Sequence, residues 1–65
     1  MPIMHVFMLE GRTEAQKAAF IAAVTIASQQ TVDATPESVR VMITDLPAHN
    51  FGIAGQTAKQ KGRGR

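Results

Sequence analysis

The chain contains no cysteine, no tryptophan and no tyrosine, and only three phenylalanines among its 65 residues. Without cysteine there is neither a disulfide framework nor a thiolate metal site, and two isolated histidines do not make a metal cage. The shortage of aromatics removes the stacking platforms on which single-stranded nucleic acid is held. Long apolar runs are missing as well: the longest uncharged stretch, Ala18 to Val32, is too short to span a bilayer and is interrupted by Thr, Ser and Gln. No signal-peptide pattern opens the chain, so a soluble cytoplasmic protein is the expectation.

A chain of this size also buries a smaller share of its surface than larger domains do, so extra stabilisation is expected. With disulfides and metals excluded, oligomerisation is the remaining source of stability. The composition, 45% hydrophobic and 18% charged, is that of a globular protein. The formal charge of +2 is unevenly spread. Lys59, Lys61, Arg63 and Arg65 close the chain, whereas residues 1–58 carry three bases (Arg12, Lys17, Arg40) against five acids, a formal −2. The expected organisation is one domain over 1–58 and a basic, flexible tail over 59–65. Four positive charges without interleaved aromatics give only weak, salt-sensitive nucleic-acid binding, so the tail reads as solvated.

Ile3 to Leu9 (IMHVFML) is a short apolar run whose length fits a strand buried on both faces. Thr13-Glu14-Ala15-Gln16 then has the form of a capping box and predicts a helix start. Helical steps through Phe20, Ile21, Val24, Ala27, Ser28, Thr31 and Val32 give a mostly apolar stripe facing a sheet. Ile26 falls off this stripe and is either exposed or in contact with a neighbouring subunit. Asp33-Ala34-Thr35-Pro36 ends the helix, and Val39 to Thr44 (VRVMIT) predicts a second strand. The order predicts a single β-α-β unit with parallel strands and a right-handed crossover. Phe51-Gly52-Ile53-Ala54-Gly55 has the glycine spacing of a small hairpin or reversed turn. One helix covers one face of such a sheet, and another copy must cover the other.

Several residues stand out chemically. If Met1 is removed, Pro2 becomes the first residue and its ring nitrogen a secondary amine, a titratable base. Arg40 lies inside an apolar strand, where it either pairs with an acid such as Glu37 or Asp45 or waits for an anion. Arg12 sits in the loop after the first strand. His5 and His49 read as structural residues, and the methionines as core filler.

Taken together, PI at the start, LEGRT with the following EAQK, SVRVMIT and FGIAG resemble the 4-oxalocrotonate tautomerase family, in that family's order and over essentially the whole chain. The resemblance implies a β-α-β subunit with a carboxy-terminal hairpin, assembled as a hexamer (a trimer of dimers), and a keto-enol tautomerase that needs no cofactor. It implies that Pro2 is the general base, in the manner of 2-hydroxymuconate tautomerase. Arg12 would bind the distal carboxylate of a dicarboxylate substrate. Arg40 from a neighbouring subunit would hold the carboxylate and keto oxygen at the reacting end. The Leu9 amide would add a donor there, and Phe51 would wall the pocket. Products of aromatic ring cleavage are the substrates so suggested.

The chemistry agrees with this. A free α-amino group titrates near about 7.7–8.0, and an apolar pocket with two guanidinium groups pushes such an amine toward its neutral, basic form. Arginine supplies charge without competing for the proton, and its planar fork suits a carboxylate. Where close relatives have FGIGG, this chain has FGIAG, which places Ala54 in a turn that prefers positive φ. No added carboxylate presents itself to activate water, so proton transfer is favoured over hydration. Three other readings stand beside this one: a catalytically silent subunit of a mixed oligomer, a promiscuous arylpyruvate tautomerase, and a module binding an acidic partner through the tail.

Overall fold

A computed structural model of the chain describes residues 1–62. Strand β1 (Ile3–Leu9) leads through Gly11 into helix α1 (Glu14–Val32), and β2 (Arg40–Leu46) returns beside β1. The two strands are parallel, in a register that sets Ile3 against Arg40 and Leu9 against Leu46. A short hairpin follows, β3 (Gly52–Ile53) antiparallel to β4 (Gln56–Thr57). This is the expected β-α-β unit with a carboxy-terminal pair of strands.

The capping box forms as the sequence predicts. The Thr13 hydroxyl accepts from the Gln16 amide at 3.1 Å, and the Gln16 side chain accepts from the Thr13 amide at 2.9 Å. The helix ends earlier than Pro36 requires. Asp33 takes the left-handed conformation (φ 59°), and the Ala34 amide donates to the Ser28 carbonyl at 3.3 Å. Thr35 is extended, as a residue before proline must be.

Burial alternates cleanly along β1: Met4, Val6 and Met8 turn toward the helix, while Ile3, His5 and Phe7 turn away. The inward stripe of α1 is Lys17, Phe20, Val24, Thr25 and Ser28, narrower than the sequence stripe, because Ile21, Ala27, Thr31 and Val32 are exposed. Ser28 tolerates burial because its hydroxyl donates to the Val24 carbonyl at 2.9 Å. β2 runs two residues beyond the expected Thr44, since Asp45 and Leu46 continue the pairing opposite Met8 and Leu9.

The second face of the sheet is bare in the single chain, with Ile3 63%, Phe7 60% and Met42 46% exposed. No large side chain among the described residues is fully buried. The radius of gyration is 14.6 Å, where a self-contained globule of this length has about 11 Å. The chain is a thin, extended plate, 42 × 23 × 14 Å along its principal axes.

The carboxy-terminal segment folds back rather than trailing from Lys59. The Ala58 amide donates to Phe51 O at 2.7 Å, Lys59 N to Ala48 O at 3.2 Å, and Lys61 N to Thr57 O at 3.2 Å. Arg63 and Arg65, which complete the expected basic tail, lie outside the described residues. No described helix is long and apolar enough to cross a membrane.

Candidate active site

Parallel pairing decides where each candidate side chain can be. At the start of the sheet, the Arg40 amide donates to the Pro2 carbonyl at 3.0 Å. At the other end, the Glu10 amide donates to the Leu46 carbonyl at 2.9 Å, and Gly11 (φ 118°) turns the chain into the loop that carries Arg12. A seven-residue strand separates these ends by ~20 Å at about 3.3 Å per residue.

Phe51 belongs to the far end. The Glu10 carboxylate accepts from the Ala48 amide at 2.8 Å, which anchors the turn preceding Phe51 beside the Leu9–Arg12 segment. Phe51 itself is half-buried against the returning hairpin. Thus Pro2 and Arg40 sit at one end of the sheet, and Leu9, Arg12 and Phe51 at the other. One chain does not bring the five together.

The side chain of Arg40 is exposed, with its guanidinium donating to the carbonyl oxygens of Glu37 and Val39 rather than to a carboxylate. The acids once open as its partners are occupied elsewhere or do not reach it. Asp45 accepts from Lys17 Nζ at 2.5 Å, and that pair is the only salt bridge among the described residues. Glu37, the other acid, meets Arg40 through its backbone carbonyl and not its carboxylate. Both candidate arginines, Arg12 and Arg40, therefore remain without a carboxylate partner among the described residues.

Arg12 lines a hollow of about 430 Å³ together with Met8, Gln16, Lys17 and Phe20. Sequence reasoning missed this hollow, although Lys17 and Phe20 stand on one face with Val24 at helical spacing. His5 stacks on Phe7 with ring centroids 4.5 Å apart and shares a 2.6 Å hydrogen bond with the Thr44 hydroxyl. His49 lies exposed in the short turn before Phe51. Among the described residues no three His, Asp or Glu side chains gather to hold a metal ion. Met1 is 75% exposed.

Residues 2–61 match the tautomerase enzyme family. The chain is 51% identical to the 2-hydroxymuconate tautomerase of Comamonas testosteroni over 63 residues, which are 97% of this chain and all of that protein. The solved structure of apo unfused 4-OT superimposes with a TM-score of 0.88 at 45% identity, covering 92% of this chain and 98% of the other. A heterohexamer 4-oxalocrotonate tautomerase from Chloroflexus aurantiacus J-10-fl does so with a TM-score of 0.87 at 28% identity, covering 92% and 97%.

Proposed function

The chain belongs to the tautomerase enzyme family, and we propose that it converts 2-hydroxy-dienoate dicarboxylates of the 2-hydroxymuconate kind into their keto isomers in an assembly of identical subunits. The observation that carries this reading is the division of the candidate residues between the two ends of a parallel strand pair. Each chain offers a potential base at one end and an anion-binding arginine with an aromatic wall at the other. Copies that meet end to end make whole sites, and a hexamer is the assembly this reading adopts.

After loss of Met1, the Pro2 amine takes the proton from the 2-hydroxyl of the dienol and returns it to a carbon of the chain, so the enol becomes a ketone with no net gain or loss of atoms. The base must be neutral to start, and both nearby guanidinium charge and an apolar wall push the amine that way. In this reading the working Arg40 comes from a neighbouring subunit, not from the chain whose Pro2 carbonyl its amide meets, and it faces the reacting carboxylate and the oxygen on which negative charge develops, with the Leu9 amide as a further donor. Arg12 fixes the distal carboxylate through its planar fork. Phe51 keeps water from the dienolate. Cytoplasmic ring-cleavage products of aromatic compounds fit this substrate class.

The test pairs intact-mass measurement of the amino terminus with an ultraviolet assay of dienol ketonisation. Chain lacking Met1 is expected to turn over, and Pro2→Ala is expected to lose roughly 10²- to 10⁴-fold in kcat. Near-normal turnover by Pro2→Ala would remove the base assignment.

A further inference from the structure

Lys59 and Lys61 stand on backbone that is fixed at both sides. Thr57 and Gln60 repeat the reciprocal pairing of the helix start: the Thr57 amide donates to Gln60 Oε1 at 2.8 Å, and the Gln60 amide donates to the Thr57 hydroxyl at 3.0 Å. The Lys61 amide then donates to Thr57 O at 3.2 Å and the Gly62 amide to Lys59 O at 3.1 Å, which closes a single turn around the two lysines. That turn is tied to the end of the sheet from which Arg12 leaves. Its links are the Lys59 amide on Ala48 O at 3.2 Å and the Ala48 amide on the Glu10 carboxylate at 2.8 Å. Both lysines are exposed, and neither has a carboxylate partner among the described residues.

Their charges decide the sign of the field at this end. Glu10, Glu14 and Asp45 bring three negative charges to it, against two positive ones from Arg12 and Lys17, and Lys17 is already paired with Asp45. Without Lys59 and Lys61 these residues would hold a formal −1 and repel an approaching anion, whereas with them they hold +1. We propose that Lys59 and Lys61 act as an electrostatic guide for the Arg12 end, favouring dianionic over monoanionic substrates by attraction through solvent rather than by contact. This rests on the tautomerase reading and adds two specificity-determining residues to it. Exposed charges act over about 30 Å at 0.01 M salt but only about 3 Å at 1 M, so the guide works at low ionic strength and is silenced at high. Coulomb energy scales with the charge of the substrate, so a gain of roughly fivefold for a dianion corresponds to about twofold for a monoanion.

Kinetics at low and high salt test the guide. kcat and KM are measured for 2-hydroxymuconate, a dianion, and for the enol of phenylpyruvate, a monoanion, with wild type, Lys59→Gln/Lys61→Gln and Lys59→Arg/Lys61→Arg. At about 0.01 M ionic strength the Gln pair is expected to lose roughly fivefold in kcat/KM for the dianion and about twofold for the monoanion, through KM, and to rejoin wild type at about 1 M. The Arg pair keeps both charges and is expected to match wild type throughout. A loss that persists at high salt, that is equal for the two substrates or that the Arg pair shares would make the lysines structural residues and overturn the guide, as would no loss at all. The same chains are titrated with adipate, an unreactive dicarboxylate, while the Gly11 and Arg12 amide resonances are followed by NMR. Weaker adipate binding by the Gln pair at low salt alone, in protein that ketonises no dienol, keeps the guide and loses the tautomerase reading. Turnover with the same salt profile in wild type and the Gln pair does the opposite.

Discussion

The Arg40 amide donates to the Pro2 carbonyl at 3.0 Å, and this one bond fixes which residues share an end of the sheet. It extends the parallel ladder past Ile3 and puts the start of β1 beside the start of β2. Arg12 must then leave from the opposite end. A substrate of a few carbons cannot bridge ~20 Å, so the candidate residues act together only when chains associate.

Arg12 is expected to matter for one end of the substrate only. Replacing Arg12 with Ala removes a charge-assisted hydrogen bond worth about 1.5–3 kcal/mol, or roughly 10- to 150-fold. That loss should appear in kcat/KM for dicarboxylates and be small for monocarboxylate enols. Steady-state kinetics on a matched pair of substrates checks this, and equal losses on both would reassign Arg12 to the reacting end.

The bare sheet face predicts the assembly. Phe7 and Ile3 are exposed beside Met42, and the rings of His5 and Phe7 stack among them. A charge at the middle of this surface would be buried without a partner whenever copies cover it. Phe7→Lys is therefore expected to sediment as a smaller species than wild type at equal concentration, with ketonisation falling in parallel. Wild-type mass and activity in the variant would show that this face stays open to solvent.

How far the sequence discloses all this differs from element to element. The Thr13–Gln16 box is written in neighbouring residues, so the helix start is legible without tertiary information. The true inward stripe of α1 is not, because Ile21 and Val32 look like core yet are exposed, away from the β1–β2 sheet that the helix packs on. The end of β2 depends on Asp45 and Leu46 pairing with Met8 and Leu9, which are far away in sequence. Candidate site residues were visible as a set through family motifs. Their division between two ends emerges only from the parallel register. The Lys17–Asp45 pair and the hollow it borders arise from crossing helix and strand, a relation that no local spacing encodes.

Ala54 should be a point of strain. It and Gly55 are the central residues of the turn between Ile53 and Gln56, with φ 53° and 82°. Both signs are those of the type I′ turn that suits a two-residue hairpin. An L-residue there costs about 1–2 kcal/mol, partly offset because glycine has more freedom to lose on folding. Ala54→Gly is expected to raise the urea midpoint by an amount corresponding to up to ~1 kcal/mol. A lowered midpoint would mean that the methyl group makes contacts in the assembly that outweigh the strain.

Mixing inactive chains tests the divided site most directly. Pro2→Ala carries an intact Arg12 but no base, and Arg12→Ala carries the base but no distal anchor. If Pro2 and Arg12 in a working site come from different copies, some sites in a mixed oligomer receive both native residues. Random association of equal amounts gives such sites about a quarter of the time. Co-refolding the two variants should therefore recover roughly that fraction of wild-type activity toward a dicarboxylate, while each variant refolded alone stays low. If both residues came from a single chain, every site would still carry one defect and mixing would restore nothing. Recovery that appears on co-refolding, but not on brief mixing of preassembled variants, ties the gain to subunit exchange rather than to either protein acting alone.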